Sequence, residues 1–357
     1  MLKAIVSTLK SVLFCWMLCI TAGGLVAASA ADLGAPVDLT SLGFDSTAAE
    51  SPLTAAPYSD VAIRAIPESL WQFNVGTAIL TRGTLTGSPI MIERFPNNGN
   101  VLLSGSQYRF DWAAGPDISG VRQLNGDRYF DAIDFRYFDV QAISAATSIN
   151  TDGIIWKFPP GSGSYAVIQN VQAQYDSQLY SFEANLRRRL GDTSIAWLTG
   201  FRWIQADDAM SLVGTAGNSI TWNWDTQNNL YGWQLGAIVP FIDSQSPWSL
   251  SCTPKAGVYG NQCVGQWSDQ VSTSPGVSSN RVFRNQVSFV GDLSATLGYR
   301  ISKRCALTAG YQLLWMNGIA VAADQPVVLS GKTIATGLNS SGSAFYHGAL
   351  AGVNFNW

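Results

Sequence analysis

The last stretch of the sequence is Ser343-Ala-Phe-Tyr-His-Gly-Ala-Leu-Ala-Gly-Val-Asn-Phe-Asn-Trp357. Its later half alternates between apolar residues and residues that are small or polar, apart from Leu350. The apolar positions are Ala349, Ala351, Val353, Phe355 and Trp357. Successive side chains of a β-strand point to opposite faces, so this alternation predicts a strand with one apolar and one polar face.

The same period of two recurs in several segments further upstream. It is cleanest in Tyr180–Leu190 and Phe289–Ile301, where aromatic and aliphatic residues alternate with charged or hydroxyl-bearing ones. Weaker examples are Ile133–Tyr137, Ile195–Trp203, Tyr231–Val239 and Leu307–Trp315. Repeated strands with an apolar outer face and a polar inner face are typical of a membrane β-barrel.

Composition supports a protein that contacts something other than water. Charged residues make up 13% of the 357 residues, against about 25% in soluble domains. The net charge is −3, which argues against nucleic acid as a partner. The chain also carries 13 Trp, 12 Tyr and 16 Phe, too much apolar material for wholesale disorder.

The N-terminal residues differ from the rest. Residues 1–30 combine two lysines, an apolar stretch and a small-residue cleavage pattern, which predicts a cleaved secretory signal peptide, with an uncleaved anchor as the alternative. Residues 31–69 are rich in Pro, Ala, Ser and Thr and predict a flexible arm, with a plug inside the lumen as the alternative. We expect residues 70–357 to form the barrel.

No later apolar run reaches the ~18 residues of a helical span. A closed barrel satisfies every backbone hydrogen bond within the bilayer. We therefore predict an all-β, antiparallel, up-and-down transmembrane barrel of about 12 strands, within a range of about 10–14. Arg189–Asp192 and Arg300–Arg304 are expected as short periplasmic turns, and Gln245–Arg284 as a longer outer loop.

The polar face of the predicted strands supplies the candidate functional residues. The candidate pore-lining residues are Asp134, Arg136, Glu183, Asn185, Arg187, Arg189, Arg202, Gln234, Asp292, Arg300 and Gln312. A mixed lumen of this kind could pass small polar solutes and discriminate among ions. In a narrow barrel the same charges would instead pair and fill the interior, so the strand number decides between the two.

The sequence offers little for catalysis or metal binding. The chain has one histidine, His347, on the apolar parity near the end of a predicted strand, which favours a place in an interfacial aromatic belt. Asp207 and Asp208 are expected just past a strand, at a solvated loop tip. We therefore predict no enzymatic activity, no cofactor and no metal site. Cys252 and Cys263 could form a disulfide or remain free thiols.

Several short sequence motifs resemble those of a known protein family. They are Glu183-Ala-Asn-Leu-Arg187, Leu198-Thr-Gly-Phe-Arg-Trp203, Lys255-Ala-Gly-Val-Tyr-Gly-Asn261, Ala309-Gly-Tyr-Gln-Leu-Leu-Trp315, Asp324-Gln325 and Phe345-Tyr-His-Gly348, with Thr226, Asn228, Leu230, Gly232, Gln234 and Gly236 at alternate positions. From about Tyr129 to the end, the chain resembles the β-barrel porins of planctomycete bacteria, the porin family numbered seven. The resemblance implies an outer-membrane barrel and passive transport. Asp292 stands where Glu would be expected, and the inward carboxylate is kept.

Two functions follow as expectations. The favoured one is a passive diffusion porin for small polar solutes or ions, and the alternative is a non-conducting barrel that serves as an anchor or adhesive surface protein. A soluble lectin-like sandwich and an outer-membrane hydrolase are weaker alternatives. The expected partners are outer-membrane lipid and the barrel-assembly machinery, which would recognise Val353, Phe355 and Trp357, and a homo-oligomer is left open. The expected location is the cell outer membrane.

Overall fold

The fold is given by a computed structural model. It describes residues 70–357 except 86, 88, 96–100, 125–128, 158–164, 192, 217, 243–245, 272–276 and 326–337. The expected signal peptide at 1–30 and the expected arm at 31–69 lie outside the described residues. Within the described ranges, no helix is both long and apolar enough to cross a membrane.

Nearly all of the described chain is β-strand. The strands are β1 Trp71–Arg82, β2 Pro89–Phe95, β3 Val101–Ser104, β4 Ala113–Gln123, β5 Ala132–Lys157, β6 Tyr165–Arg189, β7 Ala196–Ala216, β8 Asn218–Pro240, β9 Trp248–Val271, β10 Val277–Arg300, β11 Cys305–Ile319 and β12 Gly342–Asn356. Two short 3-10 turns, Gly105–Gln107 and Ala322–Asp324, interrupt them.

All twelve strands belong to one antiparallel sheet, and the pairing of β5 with β6 closes it. The closed ring contains ten strands, in the order β1, β12, β11, β10, β9, β8, β7, β6, β5 and β4. The remaining two, β2 and β3, form a hairpin that pairs with the far end of β5. The predicted all-β barrel is confirmed, with twelve strands in the sheet and ten around the lumen.

Short connections between strands lie at one end of the barrel, together with the start of the first strand and the end of the last strand. Trp71 and Trp357 exchange two backbone hydrogen bonds of 3.1 and 2.8 Å, which join the first strand to the last. The connections between β6 and β7 and between β10 and β11, which contain the predicted turns Arg189–Asp192 and Arg300–Arg304, are at this same end. Asp192 itself lies outside the described residues. We call the part of the barrel next to these turns the proximal half and the opposite part the distal half.

The loop predicted at Gln245–Arg284 is wrong. Most of this stretch is strand, because β9 extends to Val271 and β10 begins at Val277. The error arose because polar residues such as Gln262, Gln266 and Arg281 interrupt the outer face of these strands, whereas the prediction expected apolar residues on every outer face. Strands β5 to β10 are each 21 to 26 residues long, about twice the length needed to cross a bilayer.

Strand β6 shows how the two halves differ. In its proximal part Phe182, Ala184 and Leu186 face outward, while the opposite parity, which includes Glu183 and Asn185, is buried in the lumen. In its distal part the polarity of the faces is exchanged. Val171, Ala173, Tyr175 and Leu179 are buried inside, and Gln172, Gln174 and Asp176 face outward.

Aromatic residues mark both edges of the apolar outer band in the proximal half. Near the short turns the outward rings include Trp71, Trp197, Trp248, Tyr299 and Phe355. Near the distal half they include Tyr137, Tyr180, Trp203, Tyr231 and Trp315. Two such girdles flank the lipid-facing band of outer-membrane barrels, so the proximal half is the membrane-spanning part.

An apolar core fills the lumen of the distal half, so this part of the barrel contains no open channel. Its members come from almost every strand of the ring and include Phe138, Ile143, Leu212, Leu230 and Met316, each at most 1% exposed. Burial of such side chains stabilises the barrel by about 1.5–3 kcal/mol each. The interior therefore changes from polar to apolar along the barrel axis.

Candidate functional site

The residues predicted to line the pore all lie on the inward face of their strands, in the proximal half. Seven of them are buried: Asp134, Glu183, Asn185, Arg202, Gln234, Asp292 and Gln312. Arg136 and Arg187 are partly buried, and Arg189 and Arg300 lie at the end with the short turns. The alternation of each strand places these side chains inside the ring, but their contacts depend on the closed barrel.

A chain of hydrogen bonds crosses the lumen through four of these residues. Arg136 on β5 makes a bidentate ion pair with Asp117 on β4, at 2.8 and 2.9 Å, and donates to Gln312 Oε1 at 3.0 Å. The Gln312 amide donates to Asp292 Oδ2 at 2.8 Å, and Arg202 donates to the same oxygen at 2.9 Å. Strands β5 and β11 lie on nearly opposite sides of the ring, so this chain spans it.

A second chain lies beside the first. Lys255 Nζ donates to Glu183 Oε1 at 2.6 Å, and the Gln234 amide donates to Glu183 Oε2 at 2.6 Å and to Asn185 Oδ1 at 2.8 Å. The Asn185 amide donates to Asp134 Oδ1 at 2.8 Å. Arg187 pairs with the other oxygen of Asp134.

We call these two chains the polar network, together with Ser181, whose hydroxyl accepts from Arg202 Nε at 3.0 Å. Its members are Asp117, Asp134, Arg136, Ser181, Glu183, Asn185, Arg187, Arg202, Gln234, Lys255, Asp292 and Gln312. Each of its four carboxylates is paired with a cation, as buried charges require. The side chains of Arg202 and Asp292 are each only 1% exposed, so no water-sized passage runs beside them.

Sequence reasoning missed two charged members of the polar network, Asp117 and Lys255. Lys255 belongs to a string that carried the family resemblance, and its inward parity with Tyr259 and Asn261 could have revealed it. Asp117 follows Gly115 and Pro116, which obscure the alternation on β4. Both residues supply the charge that balances a predicted candidate.

A further buried ion pair lies in the apolar core of the distal half. Arg82 on β1 pairs with Asp208 on β7, across the lumen. Tyr175 and Ser177 donate to the two oxygens of Asp208 at 2.8 and 2.9 Å. The Arg82 guanidinium also lies 5.3 Å from the centre of the Tyr175 ring, which is cation–π distance.

This pair corrects the prediction for Asp207 and Asp208, which lie within β7 rather than at a loop tip. Asp208 faces the lumen, and Asp207 faces outward, where Gln205 donates to its Oδ2 at 2.6 Å. A doublet of carboxylates within a strand necessarily puts one on each face. The strand was missed because its outward residues are polar in this part.

Residues 319–324 narrow the distal lumen further. They include the last residue of β11 and the segment after it, turn inward and are buried, with Ala320, Ala322 and Ala323 fully inaccessible. The side-chain amide of Asn228 binds this segment through both its nitrogen and its oxygen. Its Nδ2 donates to the Ala320 carbonyl at 2.8 Å, and its Oδ1 accepts from the Ala320 amide at 2.7 Å.

Below the polar network, a cavity of about 730 Å³ opens toward the short turns. We call it the vestibule. Hydroxyl and amide side chains form much of its wall, including Asn74, Ser251, Thr253, Ser294 and Thr296. A small apolar cluster of Ala196, Leu198 and Ile238 lies at the same end of the interior.

The remaining candidates lie outside the lumen. His347 faces outward on β12, where its Nδ1 is 2.7 Å from the Tyr311 hydroxyl and its ring packs against Trp112. Val353, Phe355 and Trp357, the proposed assembly signal, are on the same outer face. Within the described residues, no group of three potential metal ligands comes together.

The alternative of a Cys252–Cys263 disulfide is wrong. Both cysteines are on β9, where Cys252 faces outward and Cys263 is buried on the inner face, and both are free thiols. The eleven residue-to-residue steps of strand between them place their Cα atoms roughly 36 Å apart. A disulfide requires Cα atoms within about 7 Å, so an extended strand excludes it.

Three solved structures share some likeness with this fold. The Escherichia coli outer membrane protease OmpT is 9% identical, with a TM-score of 0.42 over 82% of this chain and 97% of that one. A TodX mutant, a monoaromatic hydrocarbon channel, is 8% identical, with a TM-score of 0.24 over 85% and 94%. The Ralstonia pickettii toluene transporter TbuX is 11% identical, with a TM-score of 0.17 over 84% and 92%. Identities this low carry no information on activity.

No curated protein matches the sequence. The family described as Putative beta barrel porin-7 matches residues 112–327, which is more than half of the chain. The match covers β4 to β11 and includes every charged member of the polar network. With its closed ring, lipid-facing girdles and polar interior, the chain belongs to the Putative beta barrel porin-7 family.

Proposed function

We propose that this protein is a non-conducting outer-membrane barrel, which anchors in the membrane and presents its long distal half at the cell surface. The observation that carries the proposal is the hydrogen-bonded chain from Arg136 through Gln312 and Asp292 to Arg202. It links opposite sides of the ring with side chains that are almost fully buried. The apolar core beyond it is a second barrier to ions.

The distal half suits display at a surface. Its outer face carries exposed polar residues such as Gln172 and Gln174 on β6, which favour water over lipid. Its strands are held together by a packed interior, which makes them a rigid support rather than a set of mobile loops. The proposed partners are lipid around the proximal half and, during insertion, the assembly machinery at Phe355 and Trp357.

The proposal includes no enzymatic activity. The sole histidine, His347, lies on the outer face among aromatic rings, where it cannot serve as a base inside the barrel. Each of the four carboxylates of the polar network has a cationic partner, which supports a structural role for them.

Passive diffusion of small polar solutes or ions is the second candidate function. Two observations favour it: the polar vestibule of about 730 Å³ and the family to which the chain belongs. Diffusion would require the polar network and the apolar core to open together. The two candidates therefore differ in whether the barrel conducts.

Single-channel recording in planar bilayers tests the proposal. We expect no reproducible conductance steps from the purified full-length protein, while a known diffusion porin, reconstituted in the same way, gives steps. The variant Arg136→Ala with Gln312→Ala removes the link across the ring, and we expect it to stay closed because the apolar core remains. Steady openings of the unmodified protein would favour the diffusion porin instead.

A further inference from the structure

The vestibule has more cationic than anionic side chains, and two of its cations take no part in the polar network. Its wall contains five cationic side chains and three carboxylates. The carboxylates are paired as Asp117–Arg136, Asp134–Arg187 and Glu183–Lys255. The two remaining cations, Arg300 and Lys303, lie at the mouth, and neither has an ion-pair partner in the part of the chain that the structure describes. An anion could therefore be held at the mouth without breaking an existing pair.

A patch of hydroxyl groups lines the vestibule further in. Ser251 and Thr253 on β9 lie opposite Thr296 and Ser294 on β10, so that the four side chains form a compact square on the inner face. None of the four hydroxyls hydrogen-bonds to another described residue. Each hydroxyl can donate one hydrogen bond and accept two. The patch can therefore both donate hydrogen bonds to a hydroxyl-rich molecule and accept them from it.

The size and access of the vestibule fit a small ligand. Its volume of about 730 Å³ lies within the usual range of small-molecule pockets, roughly 300–1,000 Å³. It opens at the end with the short turns, which is the periplasmic end in outer-membrane barrels. The polar network forms its inner wall, so a ligand would enter and leave from the same side.

We propose that the vestibule is a periplasm-facing binding site for a hydroxyl-rich organic anion of about disaccharide size, such as a sugar acid or sugar phosphate. Arg300 and Lys303 would hold the anionic group, and the hydroxyl patch on β9 and β10 would bind the hydroxyl groups. This inference goes beyond the function proposed above. The site needs no passage through the barrel, so it holds for either result of the conductance test.

Isothermal titration calorimetry of the full-length protein in detergent micelles tests the site. The probes are lactobionate, its neutral counterpart lactose, and inorganic phosphate. We expect saturable binding of lactobionate at low ionic strength, about 20 mM, with roughly tenfold weaker binding of lactose and of phosphate. Added salt should weaken lactobionate binding, because the mouth cations are solvent-accessible.

Two double variants separate the charge from the hydroxyl groups. Arg300→Gln with Lys303→Gln should weaken lactobionate binding roughly tenfold and remove most of its salt dependence. Thr253→Val with Thr296→Val should also weaken it roughly tenfold, but with the salt dependence retained. Arg304→Gln is the matched control, because Arg304 is in the same turn and exposed but does not line the vestibule. Heat-modifiable migration in gels confirms that each variant has folded.

Four results would overturn the proposal. They are the absence of saturable lactobionate binding, equal affinity for phosphate, equal affinity for lactose, and an equal loss of affinity in the Arg304→Gln control. Equal phosphate affinity would identify a simple ion site, and equal lactose affinity a neutral sugar site. The control result would assign the binding to general surface charge. None of them depends on whether the barrel conducts.

Discussion

The proximal and distal halves of this barrel are built from the same strands but have opposite polarity. In the proximal half, Phe201 and Leu235 face outward and Arg202 and Gln234 face inward. In the distal half, Leu212 and Leu230 face inward and polar side chains face outward. The reversal follows the solvent outside the ring, because lipid selects apolar side chains and water selects polar ones.

The reversal also teaches how a narrow interior can be filled in two ways. Where the outer face is apolar, the interior is polar, and each carboxylate of the polar network is paired with a cation. Where the outer face is polar, the interior is an apolar core like that of a soluble protein. Both fillings close the lumen, but the first depends on exact partners and the second on volume.

The largest expected effect is the loss of a single charge from the polar network. Arg202→Met leaves Asp292 buried without its cation and should lower the free energy of unfolding by about 3–5 kcal/mol. Adding Asp292→Asn removes the unpaired charge and should restore most of the loss. Urea titrations in micelles measure both. If the single variant were as stable as the unmodified protein, the pair would not hold the proximal interior together.

Truncation of a leucine in each half tests the difference in packing. Leu230→Ala leaves a cavity in the distal core and should cost about 2–5 kcal/mol. Leu235→Ala, on the same strand but 62% exposed on the lipid-facing side, should cost less, because lipid chains fill the vacated space. The same urea titration compares them. A larger loss for Leu235→Ala would show that the distal interior is loosely packed.

A charge on the outer face distinguishes lipid from water. Leu235→Arg places a cation in the middle of the apolar band and should cost about 2–4 kcal/mol of folding free energy. Gln172→Arg makes a cation on the outer face of the distal half and should be almost neutral, because that face is in water. Equal costs at the two positions would contradict the placement of the membrane around the proximal half.

The smallest expected effect concerns pH at the outer face of the distal half. Burial raises the pKa of Asp207, so the folded state holds this proton more tightly than the unfolded state. Stability should therefore fall as pH rises from the unfolded pKa, about 3.9, through the higher folded value. Asp207→Asn should remove this decline, measured as the urea midpoint between about pH 3 and pH 7. An unchanged pH profile in the variant would contradict the assignment.

The sequence predicted the strands of the proximal half well, because positions that face lipid must carry apolar side chains. The predicted strand Tyr180–Leu190 is the proximal end of β6, and Phe289–Ile301 is the proximal end of β10. The distal extensions of both strands were missed. The outer residues of the β6 extension are polar, and those of the β10 extension mix polar residues with the exposed Phe283 and Val287. The expected pattern of apolar outer positions therefore breaks off although the strands continue.

The sequence predicted which residues of each strand face the lumen, but not which of them contact each other. Alternation placed Arg136, Arg202, Asp292 and Gln312 inside the barrel, and the structure agrees. It could not show that Arg136 reaches Gln312 from the opposite side of the ring. Cross-lumen contacts depend on the number of strands and on their stagger, and neither is encoded in the local pattern.

Local sequence determined which face of each proximal strand meets lipid, since the choice between lipid and water is made side chain by side chain. Tertiary structure decided that ten strands close the ring, that the inward charges pair across it, and that the distal interior is a packed core. These features depend on residues more than a hundred positions apart, such as Arg82 and Asp208. Such pairs come together only when the sheet closes, because closure sets the distance between its two sides.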